Sequence, residues 1–368
     1  MKLLKPSFSM QQISAIEILK KLVSFRTYEG YPSKALEVSS LYDYVENLLA
    51  DKYKFQRYLS NGQESLVVYS KSLKSPKIVL QSHIDVVPGP DSMFKADIID
   101  NKLQARGASD MKYATAAFIY TLLKLDAGKH DIALWLTSDE EIGSSDGVRY
   151  LLDDQSLRCN FCILPDGSNN HAVTKAAKGV LHVDIQATGI SAHGSRPWEG
   201  VNAIDKLLDF YSCLKQDEIF NREQEPISCN LGQINGGTAA NSVPDSASMK
   251  LDFRFLKHAD YKELQSLIDS VCSDGIESKA LVYGEPYELD LKNTFVENYL
   301  ELLTVKKIDF RFVIDTGSSD ARFFSKYDIP VLLHKPVCGG DHSENEWIDM
   351  HSLEEYADLI FEFVLKNA

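Results

Sequence analysis

The chain has 368 residues, of which 44% are apolar and 25% charged, and its formal net charge is -14. This is the composition of an ordinary soluble globular protein, and the length favours two domains. The acidic balance without a Lys/Arg cluster argues against a nucleic-acid surface, and no apolar run approaches the roughly 18 residues that cross a bilayer.

The cysteines and the first residues exclude two further classes. Six cysteines are scattered along the chain, which argues against a disulfide framework. Cys159 and Cys162 have C-x-x-C spacing, but no second such pair exists, so we interpret them as buried thiols. The apolar segment within Met1–Pro6 is too short for a secretory signal. We therefore expect a cytoplasmic protein that acts neither on nucleic acid nor in a membrane.

The first part of the chain alternates helical and strand-like segments. Ile13, Ile16, Leu19 and Val23 recur at helical spacing, and a second amphipathic stretch covers 36–49. Short runs that are apolar throughout suit strands covered on both faces. Strands alternating with helices predict an α/β sheet flanked by helices. The apolar runs are Leu66–Tyr69, Ile78–Leu80, Ile132–Leu136, Cys162–Leu164 and, near the end, Val331–Leu333.

The middle of the chain has a different pattern. Strand signals at 180–185, 227–234, 248–255 and 279–283 and helical signals at 203–214 and 261–272 follow the order β-α-β-β-α-β. We predict that 179–288 is an inserted α+β domain, and that 1–178 and 289–368 form the other domain together. Ser352 and Glu355 predict a capping box at the start of the final helix.

Histidines and acids follow several of the predicted strands. Ligands bind beyond the carboxyl ends of the strands in open α/β sheets. Imidazole and carboxylate groups hold zinc-like metals, and carboxylates can bridge two of them. The pattern therefore predicts a two-metal hydrolytic site. Its candidate residues are His83, Asp85, Asp110, Glu140, Glu141, Asp166 and His342.

With these motifs the chain resembles the zinc-dependent amidohydrolases and metallopeptidases that include acetylornithine deacetylase, succinyl-diaminopimelate desuccinylase, aminoacylase and glutamate carboxypeptidase. The resemblance implies a mixed central sheet flanked by helices, as in zinc peptidases, and an inserted ferredoxin-like lid domain. It also implies a homodimer that pairs through the lid. The motifs that carry it are Ser82–Asp85, Arg106–Lys112, Thr137–Gly143, Ser191–Pro197 and His342–Glu346.

The resemblance assigns a role to each candidate. Asp110 would bridge two divalent cations, with Zn²⁺ expected and Co²⁺ or Mn²⁺ as alternatives. Asp85 would orient the imidazole of His83, and Glu140 would be the general base. Neighbouring residues of an extended chain point in opposite directions, so Glu140 can face water while Glu141 binds metal. The remaining ligands would be His83 and Asp166 on one metal, and Glu141 and His342 on the other.

Four elements outside the ligand set are implied as substrate-contacting. His193 would stabilise the oxyanion, and in related dimers it reaches the site of the partner subunit. Asn241 and Arg254 would hold the substrate carboxylate, with Gly317 and Ser318 in a substrate loop. The expected substrate is a small N-acyl amino acid whose amide bond is cleaved.

Three alternatives stay open. Asp166 stands where many deacylases carry Glu, and Asp there is frequent among aminopeptidase- and dipeptidase-like members, so a dipeptidase or carboxypeptidase is the close alternative. The segment Gly143–Gly147 matches the G-x-S-x-G motif of serine hydrolases, but polar residues separate it from the preceding strand. A non-catalytic metal-binding module is the third, although no ligand is missing.

Overall fold

The computed structural model describes residues 13–222, 227–315, 317 and 319–368. The segment Met1–Pro6, used above to argue against a signal peptide, lies outside these residues, as does Ser318. The α-helices of the described chain are α1 (Ala15–Leu22), α2 (Lys34–Leu49), α3 (Lys112–Lys124), α4 (Val148–Asp153), α5 (Ala203–Lys215), α6 (His258–Val271), α7 (Thr294–Val305), α8 (Ala321–Ser325) and α9 (Met350–Asn367).

The strands are short for the most part, and several have only two or three residues. They are β1 (Lys54–Ser60), β2 (Gln63–Tyr69), β3 (Ile78–His83), β4 (Asp97–Ile99), β5 (Lys102–Gln104), β6 (Ile132–Thr137), β7 (Phe161–Ile163), β8 (Ala172–Ala177), β9 (Gly179–Thr188), β10 (Ala192–His193), β11 (Ser228–Gly236), β12 (Ser242–Val243), β13 (Ser246–Phe255), β14 (Ile276–Gly284), β15 (Tyr287–Glu288), β16 (Arg311–Asp315), β17 (Val331–Leu332), β18 (Cys338–Gly339) and β19 (Trp347–Asp349).

The chain divides into two compact units. Unit 1 contains the described residues up to Lys175 together with Leu289–Ile314 and Ser319–Ala368. Unit 2 contains Ala176–Glu288 and the short segment that begins at Asp315. The domain limits expected from the sequence were 178/179 and 288/289. Among the described residues, no helix combines the length and apolar character needed to cross a bilayer.

Unit 1 is built on a six-stranded mixed sheet with the order β1-β2-β6-β3-β7-β17. β1, β2 and β6 pair antiparallel, whereas β6, β3, β7 and β17 pair parallel. Every residue of β3 and β6 is buried, because helices cover this part of the sheet and its apolar runs need no wet face. The α/β architecture predicted from those runs is confirmed.

The helices of unit 1 bury the faces that their sequences make apolar. α3 is buried along most of its length and packs on β3, α1 and α9. Phe324 of α8 stacks on Trp135 of β6 with ring centroids 5.8 Å apart. The final helix begins earlier than expected, because Asp349 is its N-cap and accepts a hydrogen bond from the backbone N–H of Ser352 at 2.9 Å. The predicted Ser352 capping box is therefore wrong.

A second sheet of unit 1 joins two distant stretches of chain. Its order is β18-β19-β5-β4, and its strands have two or three residues each. Ile348 of β19 pairs with Leu103 of β5 on one side and Cys338 of β18 on the other. This sheet places the loop after β5, which carries Asp110, beside the loop between β18 and β19, which carries His342. The sequence analysis did not predict it.

Unit 2 has the expected β-α-β-β-α-β order, and its four-stranded antiparallel sheet has the order β11-β13-β9-β14. Buried and more exposed residues alternate strictly along β13, as one covered and one open sheet face require. α5 and α6 pack against each other and contact the sheet. The ferredoxin-like prediction for this insertion is confirmed.

Candidate metal centre

The site is built at the carboxyl end of the parallel strands of unit 1. His83 is the last residue of β3, which extends three residues beyond the predicted strand end at Leu80. Its Nε2 atom lies 3.1 Å from Oδ1 of Asp110, two residues before the start of α3. The side chain of His83 is buried. β3 and the turn before α3 therefore position the first pair of candidate ligands.

The other carboxylate oxygen of Asp110 faces a second imidazole. Nε2 of His342 lies 3.1 Å from Oδ2 of Asp110 and 3.2 Å from Oε2 of Glu141. His342 has a left-handed backbone with φ 60°, a conformation that costs energy in a non-glycine residue. Gly340 precedes it with φ 78°, and a Cβ there would lie 2.3 Å from the carbonyl oxygen of Asn345. Only glycine permits this tight loop.

The candidate ligands form two groups that share Asp110. His83, Asp110 and Asp166 form one group, and Asp110, Glu141 and His342 form the other. Within each group the ligand atoms lie within 4.8 Å of one another. The structure therefore brings together all five residues that the sequence analysis proposed as ligands.

Asp85 contacts two of these elements, the His83 imidazole and the Glu141 backbone. Nδ1 of His83 lies 3.1 Å from the backbone carbonyl oxygen of Asp85 and 3.5 Å from its carboxylate. The carboxylate of Asp85 also accepts the backbone N–H of Glu141 at 3.0 Å. Asp85 thus contacts the imidazole mainly through its backbone, and its side chain links β3 to the Glu140–Glu141 segment.

Glu140 and Glu141 lie in a 3₁₀ turn, Glu140–Ile142. The sequence argument that they diverge because the chain is extended is therefore wrong. Successive residues of a 3₁₀ turn are about 120° apart, so the two side chains still leave the backbone in different directions. Glu141 faces His342 and Asp110, as described above.

Asp166 follows β7 and is placed through its neighbours. The hydroxyl of Tyr113, in α3, donates to the carbonyl oxygen of Pro165 at 2.6 Å. The backbone N–H of Leu164 donates to the carbonyl oxygen of Leu332 in β17 at 3.0 Å. These contacts fix the chain on both sides of Pro165, so Asp166 enters the site from a rigid segment.

The electrostatics are those of crowded acids and imidazoles. Burial opposes the charged forms, yet the hydrogen bonds between them raise the pKa of His83 and lower that of Asp110. The hydrogen bond with Asp110 raises the pKa of His342 to about 9. Burial, followed by the charge of Asp166, raises the pKa of Glu140, and burial raises that of Glu141 to about 7. In the metal-free protein, the positive charges at this site are therefore fewer than its acidic side chains.

A buried cation beside this site was missed by the sequence analysis. The side chain of Lys335 is 2% exposed, and its Nζ lies 3.4 Å from a carboxylate oxygen of Asp341. Burial opposes its charge, but neighbouring Cys338, Asp110 and other acids raise its pKa. The only signal was a lysine two residues after the apolar run Val331–Leu333, where a charged residue is unusual.

Among the unit 2 residues that were proposed to contact substrate, His193 and Asn241 are exposed, whereas Arg254 is partly buried. His193 pairs with Ser242 of β12, and Asn241 directly precedes that strand. The backbone N–H of Gly194 donates to the carbonyl oxygen of Asn241 at 2.8 Å. The backbone N–H of Ser195 donates to Nδ1 of His193 at 3.1 Å. The neutral imidazole therefore carries its proton on Nε2, which makes that atom a donor.

Arg254 is already engaged by a neighbour. Its Nε and Nη2 atoms donate to the two carboxylate oxygens of Asp252, at 2.8 Å and 3.3 Å. Residues two apart on β13 share a sheet face, which brings the pair together. Gly317 is exposed, and its N–H donates to Asp315 at 2.9 Å. Its partner in the proposed loop, Ser318, lies outside the described residues.

The donor set fits two divalent cations. Oδ1 and Oδ2 of Asp110 point to different groups, as a bridging carboxylate requires. Oε1 of Glu141 is buried and has no hydrogen-bond partner in the described part of the chain, although a buried carboxylate oxygen needs one. Mixed imidazole and carboxylate ligands suit Zn²⁺, and also Co²⁺ or Mn²⁺.

An α/β sheet whose strand ends gather two ligand groups around one shared carboxylate defines a metal-dependent hydrolase. Residues 79–366 match the model of peptidase family M20/M25/M40. The chain belongs to this family, so the predicted family and the prediction of an enzyme are confirmed. Membership in a family of metallopeptidases argues against the serine hydrolase and the non-catalytic module.

Individual relatives agree with this assignment. The succinyl-diaminopimelate desuccinylase of Wolbachia pipientis wMel is 24% identical, over 96% of this chain and 93% of that protein. The structure of a tripeptidase from Staphylococcus aureus superposes with a TM-score of 0.75 at 20% identity, covering 95% of this chain and 96% of that chain. YXEP of Bacillus subtilis, a dinuclear metal-binding peptidase of family M20, has a TM-score of 0.69 at 14% identity, covering 96% and 98%.

Proposed function

We propose that this chain hydrolyses the amide bond of small N-acyl amino acids and that it does so with two divalent cations, Zn²⁺ by preference. The observation that carries the proposal is the pair of ligand groups that share Asp110. The desuccinylase names of the curated relatives support N-acyl amino acids as the substrate class.

In this mechanism His83 and Asp166 would hold one cation, Glu141 and His342 would hold the other, and Asp110 would contribute to both groups. When bound, the cations would supply Lewis-acid activation of water and of the scissile carbonyl group. Glu140 accepts the proton of the attacking water on its carboxylate and later gives it to the leaving amine.

Side chains of unit 2 are proposed to contact the substrate. Nε2–H of His193 is the donor for the oxyanion, because Nδ1 is occupied by the N–H of Ser195. Asn241 and Arg254 bind the substrate carboxylate, and Gly317 and Ser318 belong to the proposed substrate loop. Asp252 fixes the guanidinium of Arg254 in one orientation, which reduces the entropy lost on binding.

We also propose that the protein is a homodimer formed through unit 2. Large apolar side chains are exposed near His193, and Trp198 is 76% exposed. Such residues are typical of interfaces. Light scattering on the purified protein tests the assembly, and a monomer at working concentration would contradict it.

One observation favours a dipeptidase as the second candidate. Asp166, a ligand in the first group, stands at the position where many deacylases carry Glu. Because Asp and Glu both bind metal, this difference does not affect the proposed metal centre. It bears on the substrate class.

A turnover screen of the zinc-loaded protein tests the proposal. N-succinyl-diaminopimelate and other succinyl, acetyl and formyl amino acids are compared with dipeptides that have a free amino group. We expect faster hydrolysis of the N-acyl amino acids. A preference for the dipeptides would establish the second candidate, and hydrolysis of neither class would contradict both.

A further inference from the structure

The loop that carries Asp110 is held by a carboxylate far away in the sequence. Oε1 of Glu346 accepts the backbone N–H groups of Ser109 and Asp110, at 2.8 Å and 2.9 Å. Oε2 accepts from Nη1 of Arg106 at 2.7 Å. The backbone carbonyl oxygen of Glu346 accepts the N–H of Ala105 at 3.2 Å. One residue therefore contacts both ends of the Ala105–Asp110 loop.

The side chain of Glu346 is completely buried, and that of Arg106 is 3% exposed. A buried carboxylate is costly unless it is paired and hydrogen-bonded. Here the Arg106 guanidinium supplies the counter-charge, and the two backbone N–H groups bind the other oxygen. Because the carboxylate of Glu346 is buried and both of its oxygens are hydrogen-bonded, the side chain has little freedom to move. It therefore holds the groups that it contacts in place.

Glu346 also belongs to the loop that carries His342. This loop is closed by the hydrogen bonds of Ser343, whose N–H and hydroxyl donate to the carbonyl oxygen of Gly340 at 2.9 Å and 2.8 Å. The short sheet through β5 and β19 aligns the two loops, and Glu346 joins them at the site itself. The 3.1 Å separation between Asp110 and His342 depends on this junction.

We propose that Glu346 is a positioning residue for the metal centre: its buried carboxylate fixes the backbone of Asp110 relative to His342 and so sets the affinity for the two cations. The inference rests on the proposed function only for the identity of the metal ligands. Groups that orient metal ligands through hydrogen bonds typically change metal affinity by about 10- to 100-fold when they are removed.

The test measures Zn²⁺ affinity by competition with a chromophoric chelator. We expect Glu346→Ala to weaken Zn²⁺ binding about 10- to 100-fold. Glu346→Gln retains the shape of the side chain and is expected to weaken Zn²⁺ binding less. If the alanine variant does not fold, the Glu346→Gln variant tests the positioning role. In the double variant Glu346→Gln/Arg106→Met, the amide oxygen can still accept the backbone N–H groups of the loop. The double variant also has no guanidinium left without its charged partner, so its Zn²⁺ affinity is expected to recover towards that of the wild type.

Glu344→Gln is the matched control, because Glu344 lies in the same loop and is exposed. It is expected to bind Zn²⁺ like the wild type. Folding of each variant is monitored by circular dichroism in the metal-free state. A folded Glu346→Gln or Glu346→Ala variant with wild-type Zn²⁺ affinity would overturn the proposal, since a purely structural role lowers stability without changing metal affinity.

The outcome is independent of turnover. If the wild type binds two Zn²⁺ ions but hydrolyses no N-acyl amino acid, the proposed substrate is wrong, whereas the effect of Glu346 on Zn²⁺ affinity remains measurable. If hydrolysis is found but the Glu346 variants bind Zn²⁺ normally, only the positioning role is lost.

Discussion

Nε2 of His342 lies 3.1 Å from Oδ2 of Asp110, although the two residues come from loops that unit 2 separates in the sequence. In the metal-free protein this contact is an ion pair, since the pKa of His342 is raised to about 9. In the proposed metal centre the same two atoms would be ligands of a cation. The contact therefore preorganises the second ligand group and must lose a proton when the group is filled.

The stoichiometry of bound metal should follow the sharing of Asp110. Asp110→Ala is expected to lose both cations, because its carboxylate belongs to both groups. His83→Ala and His342→Ala are each expected to lose one. Elemental analysis of the dialysed proteins measures the metal per chain. Retention of one tightly bound ion in Asp110→Ala would contradict the bridging role.

Glu140 and Glu141 should behave differently when each is replaced by Gln. Glu140→Gln is expected to lower kcat by about 10²- to 10⁴-fold, the contribution of a general base, with both metals retained. Glu141→Gln is expected to lose one metal, and it serves as the adjacent control. Loss of metal in the Glu140 variant alone would mean that the two roles are exchanged.

Zn²⁺ affinity should rise with pH. In the metal-free protein the pKa of His342 is raised from 6.5 to about 9. The stabilising effect of its charged form is therefore complete below pH 6.5 and disappears as the pH rises through about 9. Zn²⁺ binds the neutral imidazole, so it competes with protons over the same range.

Two measurements check this pH dependence. Chelator competition across this range gives the affinity, and thermal melts of the metal-free protein give its stability, which is expected to fall as the pH rises. His342→Asn removes the titrating group and is expected to flatten both profiles. A wild-type Zn²⁺ affinity that does not change with pH would exclude His342 as a ligand.

Lys335 should counteract metal binding. It is a fixed positive charge buried beside Asp341, with Asp110 among the acids that raise its pKa. Lys335→Met is expected to bind Zn²⁺ more tightly and to be less stable without metal, because the acids lose their internal counter-charge. Replacement of the exposed Lys292 by Met is the control. Weaker Zn²⁺ binding in Lys335→Met would show that the lysine supports the ligands in another way.

His193 should affect turnover without affecting metal. If its Nε2–H stabilises the oxyanion, His193→Ala is expected to lower kcat by about 10²- to 10³-fold with unchanged Zn²⁺ content. His258→Ala, an exposed histidine of unit 2 that contacts Glu285, is the control. Equal kcat values for wild type and the His193 variant would remove this residue from the mechanism.

The sequence was most informative where a strand is buried on both faces. The apolar runs at β3, β6 and β7 predicted the central sheet, and the polar residues that follow them include candidate ligands that the structure brings together. The β-α-β-β-α-β order of unit 2 was equally visible, because its helices and strands are long enough to show their periodicity.

Other features could not be predicted because they depend on tertiary contacts. β5, β18 and β19 have two or three residues each, too few to show a strand pattern. The buried environment of Glu346 is formed by Arg106, Ser109 and Asp110, and Asp110 is also among the acids that act on Lys335. Because these partners are remote in sequence, neither environment could be predicted from neighbouring residues. The start of α9 was misplaced because Asp349 and Ser352 are both good N-caps and only the chain direction set by β19 selects between them.

The insertion of unit 2 between Asp166 and His342 has a consequence for biosynthesis. A nascent chain contains four of the five candidate ligands before unit 2 is synthesised, but the group made by Asp110, Glu141 and His342 cannot form until unit 2 has been translated. A translation product that ends before His342 therefore lacks one of the two candidate cation sites.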